Sequence, residues 1–179
     1  MDKQSIRKMM KEKRLKNKTF LLHNQHILEK VLNHSRYQSS STIGIYVSLK
    51  DEVNTLQIIE NALLSHRVCV PKVHGDTMSF YEIKSLKDLE IGHFHVLEPI
   101  TNILVEARDI ELMIVPMLAF DKRLYRVGYG RGYYDKYMSH DFYGYKLGLA
   151  YSWQEVEYVS NDDYDQQLDE IITEKSCIL

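Results

Sequence analysis

The most apolar stretch of this chain, LMIVPMLAF at 112–120, is nine residues long. A helix that crosses a bilayer needs about 20 such residues, so a run of this length belongs in a buried strand. Similar short runs recur along the sequence. TIGIYVSL at 42–49, RVCVP at 67–71, MSFYEI at 78–83, ELMIVP at 111–116, YKLGLAY at 145–151 and the shorter DEIITE at 169–174 all read as strands. Helical patterns fall between them. Residues 3–35 read as two helices broken near Asn17, with Leu21, Leu28, Val31 and Leu32 forming one apolar stripe. Asn54 or Thr55 can cap a following helix that carries Leu56, Ile59 and Leu63. Strands alternating with helices imply an α/β fold: a mostly parallel, mixed sheet with helices on both faces. The 67–83 pair supplies its antiparallel part. In such folds ligands sit beyond the carboxyl ends of strands, which makes the loop after ELMIVP the first place to search.

At 179 residues the chain fits one domain, and SSST at 39–42 is too short to act as a linker. A single domain over 1–179 is expected. No apolar run follows the basic amino terminus, so export and membrane insertion are not expected and the cytoplasm is the default compartment. Cys69 and Cys177 are isolated, which supports neither a disulfide framework nor a cysteine zinc site. Cys69 is expected to be a core residue. His93 and His95 would share a strand face but lack a third ligand. The net charge of −2 is unevenly spread, with eight Lys/Arg against Asp2 and Glu12 in residues 1–18 and an acidic region from Glu155 to Glu174. A basic helix of this kind either attracts phosphate, nucleic acid or anionic lipid, or is merely a solvated face.

The segment with the most chemistry is RVGYGRGYYDKYM, residues 126–138. Gly128, Gly130 and Gly132 alternate with Tyr129 and Arg131, and a helix-compatible stretch follows from Tyr133. Glycine permits positive φ and close approach of backbone N–H groups to a ligand. With Arg126 and Arg131 beside a helix start, the arrangement suits a polyphosphate. It is neither a dinucleotide fingerprint nor a P-loop. Tyr133 and Tyr134 can stack on a flat heterocycle or serve as core, and Asp135 can ligate magnesium near phosphates or simply favour the helix start.

GYGRGYYDKY at 128–137, preceded by VPMLAFD at 115–121, resembles the signature of the 5-formyltetrahydrofolate cyclo-ligase family. Other segments match in order: Lys3 and Arg7 at the family's spacing, VSLKDEVNT at 47–55, VPKV at 70–73 followed by MSFYEI, FHVLEP at 94–99, and YDQQLDEIITE at 164–174. The resemblance implies ATP-dependent cyclisation of 5-formyltetrahydrofolate to 5,10-methenyltetrahydrofolate, with ADP and phosphate released. It implies that ATP is held by Lys3, Gln4, Ser5, Ile6 and Arg7 and by residues 126–134, namely Arg126, Val127, Gly128, Tyr129, Gly130, Arg131, Gly132, Tyr133 and Tyr134. Val47, Glu52 and residues 129–133 would line the folate side, Arg131 and Tyr133 would be catalytic, and Asp135 and Asp165 would hold magnesium. The expected partners are these two small molecules, with no nucleic acid and no membrane, and the expected state is a monomer.

The chain departs from the family pattern at Leu124, where glycine is usual, and at Tyr164, where histidine is common. We expect the 121–126 turn to be a mobile surface loop and Leu124 to keep an ordinary negative φ. Trp153 can either pack in the core or line the folate site. Two other classes use parts of this pattern: a sugar-phosphate isomerase or hydrolase without ATP, and a basic-helix nucleic-acid-binding module without turnover.

Overall fold

The computed structural model describes residues 1–16, 20–92 and 95–179. The expected break at Asn17 and the histidine at 93 lie outside the described residues. The chain opens with α1 (Lys3–Lys16), α2 (Phe20–Leu32) and α3 (Ser35–Ser39), then enters the sheet with β1 (Thr42–Ile45). Helix α4 (Leu56–Ala62) leads to β2 (Arg67–His74) and β3 (Thr77–Ile83). A small hairpin, β4 (Leu89–Ile91) and β5 (Leu97–Pro99), precedes β6 (Leu104–Val105) and β7 (Leu112–Val115). A second hairpin, β8 (Ala119–Phe120) and β9 (Arg126–Val127), is followed by α5 (Tyr133–Met138), β10 (Tyr145–Leu149), β11 (Glu170–Ile172) and β12 (Cys177–Ile178).

The main sheet runs β12-β11-β10-β7-β1-β2-β3-β6. Its centre is parallel, from β11 through β10, β7 and β1 to β2, and its margins are antiparallel. The α/β architecture with a mixed sheet is therefore as the sequence implies. Alternation along β7 shows why both faces need cover. Leu112 and Ile114 join a cluster with Ile27 and Val31 of α2 and Ile58 and Ile59 of α4. Met113 and Val115 join the opposite cluster with Phe80 and with Met138 of α5. A third cluster seats Ile6 and Met10 of α1 against Leu118, Ala119 and Val127 of the second hairpin.

Four expectations need correction. Leu21 is 88% exposed, and Ile27, fully buried, holds the core position on α2 instead. Strand β1 stops at Ile45, because residues 46–55 turn back on themselves through their own side chains. Strand β2 does not end at Pro71. It continues to His74 against β3, past Cys69, the last residue that β1 pairs. Pro71 thus stands where the β1-side edge is open and a missing N–H breaks no bond to β1. Leu124 has φ 68°, in the left-handed region, and is 9% exposed. Residues 121–125 link β8 to β9. The Asp121 N–H bonds to the Tyr125 carbonyl at 3.0 Å, which leaves 122–124 as the loop proper, and the Leu124 N–H bonds to the Asp121 carbonyl at 3.0 Å. A three-residue hairpin loop of this type ends on a left-handed residue, which accounts for glycine being usual there. Leucine tolerates the position because its side chain is buried beside Phe120 and Leu168, and the turn is anchored rather than loose.

Candidate active site

The carboxyl ends of β1, β2 and β7 open onto a cleft of about 350 Å³, lined by Tyr46, Val47, Glu52, Pro71, Val73, Met78, Leu97, Glu98 and Pro116 on one side. Arg126, Gly128, Tyr129, Arg131, Gly132, Tyr133, Tyr134 and Asp135 line the other. The Val47 and Glu52 wall comes from the turn after β1. Thr55, fully buried, donates its hydroxyl to the Tyr46 carbonyl at 2.7 Å and accepts the Ser48 N–H at 3.0 Å. Asn54 rather than Thr55 caps α4, with Oδ1 accepting the Leu56 N–H at 2.9 Å. Glu52 closes the same turn by accepting the Leu49 N–H at 2.7 Å.

The glycine loop lies opposite. Gly130 has φ 106° and Gly132 φ 67°, conformations that other residues adopt only at a cost. A Cβ at Gly128 or Gly132 would meet nothing within 4 Å, while one at Gly130 would lie 3.5 Å from the Arg7 guanidinium carbon. Helix α5 starts at Tyr133, as the sequence indicates, with Gly132 at its cap. The Tyr133 hydroxyl donates to the Gly75 carbonyl at 2.9 Å. Tyr134 packs edge-on against Phe80, and burial pushes its hydroxyl pKa up.

Helix α1 grips this loop. Arg7 Nε donates to the Gly128 carbonyl at 2.8 Å. Lys3 Nζ contacts Asp165 Oδ2 at 2.5 Å. Arg14, which the sequence reading left within the basic run, donates to the Tyr129 hydroxyl at 2.9 Å and to Asp51 at 3.1 Å. Its position could have been found from spacing, since residues 3, 7 and 14 share one helix face at about 100° per residue. Gln4 and Ser5 are exposed and their N–H groups are taken by Asp2 Oδ1. The side chains of Ile6 and Val127 are buried core, so only their backbones could face a ligand. Three cations of the basic stretch therefore turn into the protein rather than forming a solvated face.

Arg126 is nearly buried and is committed within the fold: Nη2 pairs with Asp135 at 2.9 Å and Nη1 donates to the Gln166 carbonyl at 3.0 Å. Asp135 Oδ1 also accepts the Gln166 N–H at 3.0 Å, which ties it to the residue following Asp165. Asp165 Oδ2 additionally accepts the Asp162 N–H at 2.8 Å. Tyr164 is 83% exposed. Trp153 is stacked on Tyr151 and is not a cleft residue, which places it with the core. Cys69 is fully buried, and burial pushes its thiol pKa up. Among the described residues no group of three or more His, Cys, Asp and Glu could hold a metal, and no helix is long and apolar enough to cross a membrane.

The fold and cleft define an α/β protein whose site sits where a central parallel sheet ends and a left-handed glycine loop begins. Residues 1–174 match the model of the 5-formyltetrahydrofolate cyclo-ligase family, and the chain belongs to that family. It is 30% identical to the 5-formyltetrahydrofolate cyclo-ligase of Mycoplasma pneumoniae over 98% of this chain and 100% of that protein. It is 28% identical to the mouse protein of the same name, over 97% of this chain and 90% of the other. The solved structure of Aquifex aeolicus 5,10-methenyltetrahydrofolate synthetase superposes with a TM-score of 0.88 at 30% identity, covering 99% of this chain and 92% of that one.

Proposed function

We propose that this chain converts 5-formyltetrahydrofolate and ATP to 5,10-methenyltetrahydrofolate, ADP and phosphate. The observation that carries the reading is the single cleft that joins the glycine loop and its arginines to the apolar, tyrosine-rich wall holding Val47 and Glu52. Phosphate chemistry and a flat heterocycle can meet there. A formamide carbonyl is a poor electrophile because nitrogen donates its lone pair into it. The formyl oxygen attacks the γ-phosphorus and ADP leaves. The substrate's N10 then attacks the activated carbon, its proton goes to the departing phosphate, and that phosphate leaves with the former formyl oxygen. No protein nucleophile is needed. The chain's work is positioning and charge neutralisation.

Lys3, Arg7 and Arg131 neutralise the phosphates, while the amides of residues 128–132 approach them; the N–H groups of Gln4, Ser5 and Ile6 are already bonded to Asp2. Arg131 and Tyr133 face the transferring group from the loop, and Tyr134 backs it. Arg126 holds Asp135 in place. Val47 and the tyrosines cover the pteridine faces, and Glu52 accepts its N–H groups. The donor set suits magnesium. Asp135 and Asp165 each offer hard carboxylate oxygen, one oxygen of each has no hydrogen bond among the described residues, and magnesium takes one or two carboxylates plus substrate phosphates. Bound there, it would neutralise charge on the phosphate oxygens. We place the protein in the cytoplasm, acting as a monomer.

The test is the absorbance of the methenyl product when 5-formyltetrahydrofolate is mixed with the protein and magnesium-ATP, with ADP measured in parallel. Equal amounts of both products are expected. Absence of the chromophore, or its formation without ATP, would sink this reading and favour an ATP-independent enzyme of the same scaffold.

A further inference from the structure

Arg14 is an expensive residue for a packing role. Its side chain is 5% exposed, and its carboxylate partner, Asp51, is half exposed at 3.1 Å. Nη2 donates to the Met117 carbonyl at 3.3 Å, and Nε is buried with no hydrogen bond among the described residues. A buried charge so incompletely paired costs stability that an apolar side chain of similar size would not. What the guanidinium does reach is Tyr129, through a 2.9 Å hydrogen bond to its hydroxyl oxygen and with the guanidinium carbon 5.7 Å from its ring centroid. Tyr129 in turn donates its hydroxyl hydrogen to Glu52 Oε1, and Glu52 Oε2 is held by the Leu49 N–H.

These contacts form one chain from α1, through the glycine loop, to the turn after β1. We infer that Arg14 is a positioning residue that fixes Tyr129 and Glu52 against the folate side of the cleft. The inference rests on the folate-facing reading of those two residues given above. Tyr129 is flanked by Gly128 and Gly130, the residue is 46% exposed, and its neighbours restrain it little. By occupying the hydroxyl oxygen, Arg14 leaves the hydroxyl hydrogen one direction, toward Glu52. Without it the loop tyrosine is free to swing, and Glu52 loses both a fixed donor and a nearby cation. The helix that carries Lys3 and Arg7 to the nucleotide side thereby also orders the folate side.

Calorimetry of 5-formyltetrahydrofolate binding without nucleotide tests this on the wild-type chain, Arg14→Met, Arg14→Lys, Tyr129→Phe and the Arg14→Met/Tyr129→Phe pair. Arg14→Met and Tyr129→Phe should each weaken folate binding about tenfold, as expected for one hydrogen bond to a charged group. The double variant should be no worse than either single one, because both break the same chain. Arg14→Lys should restore part of the loss, and the dissociation constant for ATP should change less than that for folate, because Lys3 and Arg7 stay in place. If Arg14→Met does not fold, Tyr129→Phe, which leaves the α1 core intact, carries the test through a folate KM raised by a larger factor than the ATP KM. Additive losses, or a lowered melting temperature with wild-type folate affinity, would overturn the role. If the wild-type chain itself binds no formylated folate, the functional reading falls and takes this inference with it.

Discussion

Replacing Glu52 by glutamine separates what this side chain does for binding from what it costs the fold. Glu52 is 7% exposed. Burial pushes its pKa up, the Tyr129 hydroxyl, the Leu49 N–H and Arg14 pull it back, and Asp51 adds to the rise. Tyr46, Tyr134 and Tyr151 also face it. The net direction is upward. A carboxyl raised in the folded state contributes stability that is fully present below its unfolded pKa of about 4.3 and is lost as pH rises through the folded value. Glutamine does not titrate. The stability of Glu52→Gln relative to wild type should therefore climb as pH rises from about 4 and then level off. The substitution loses a charged hydrogen bond, roughly 1.5–3 kcal/mol, and removes a buried charge whose effective penalty is several kcal/mol. These oppose, so stability at neutral pH should stay within about 1 kcal/mol of wild type or exceed it. Binding has no such offset, and affinity for the formylated folate should fall about 10–100-fold. Urea denaturation across the pH range, with folate KM from the methenyl absorbance, measures both. A pH-independent stability difference, or a wild-type folate KM, would refute the reasoning.

Leu124→Gly and Leu124→Ala both empty a buried site, at roughly 2–5 kcal/mol, but only glycine relieves a left-handed backbone strain of about 1–2 kcal/mol. Leu124→Gly should therefore be the more stable of the two in urea, and the reverse order would contradict the positive φ. Gly130→Ala forces a side chain onto φ 106° beside Arg7; it should lower stability by about 1–2 kcal/mol and weaken ATP binding in calorimetry, and a silent variant would show that the loop relaxes elsewhere. Magnesium-ATP at about 100 times its dissociation constant should stabilise the fold by roughly 2.7 kcal/mol and ATP without magnesium by less; equal melting shifts would remove Asp135 and Asp165 from a metal role.

The sheet was legible because its strands are short, β-branched and separated by helical spacing, and β7 shows both faces of the core within four residues. The left-handed geometry at Gly130 and Gly132 and the start of α5 were legible for the same local reason: glycines alternating ahead of a helix former. Less local features were not. Nothing in the sequence near Leu21 says that Ile27 is the residue buried in the core, because both fit a helical stripe. Leu124 was misread because a leucine is a poor guide to a left-handed turn, and only the hairpin register on either side dictates it. The walls from β3 and β5, with Met78, Leu97 and Glu98, reach the cleft through sheet order and hairpin packing, which no spacing along the chain encodes. Arg14 is passed over when the charge run is read as a whole, although its spacing from Lys3 and Arg7 puts all three on one helix face.

The distribution of charge along the sequence gains a physical account from these contacts. A basic first helix and an acidic last segment would be a liability if each were simply solvated, since neither would help hold a core. Here they meet. Lys3 pairs with Asp165, Arg7 holds Gly128 and Arg14 holds Tyr129, so α1 spans the acidic carboxyl-terminal segment and the glycine loop at once. Each contact joins residues more than a hundred positions apart. A ligand that takes over the Lys3 or Asp165 charges must therefore perturb the same helix that restrains Tyr129. Nucleotide and folate binding should accordingly be thermodynamically linked, each altering the affinity of the other by the same factor, with α1 as the shared element.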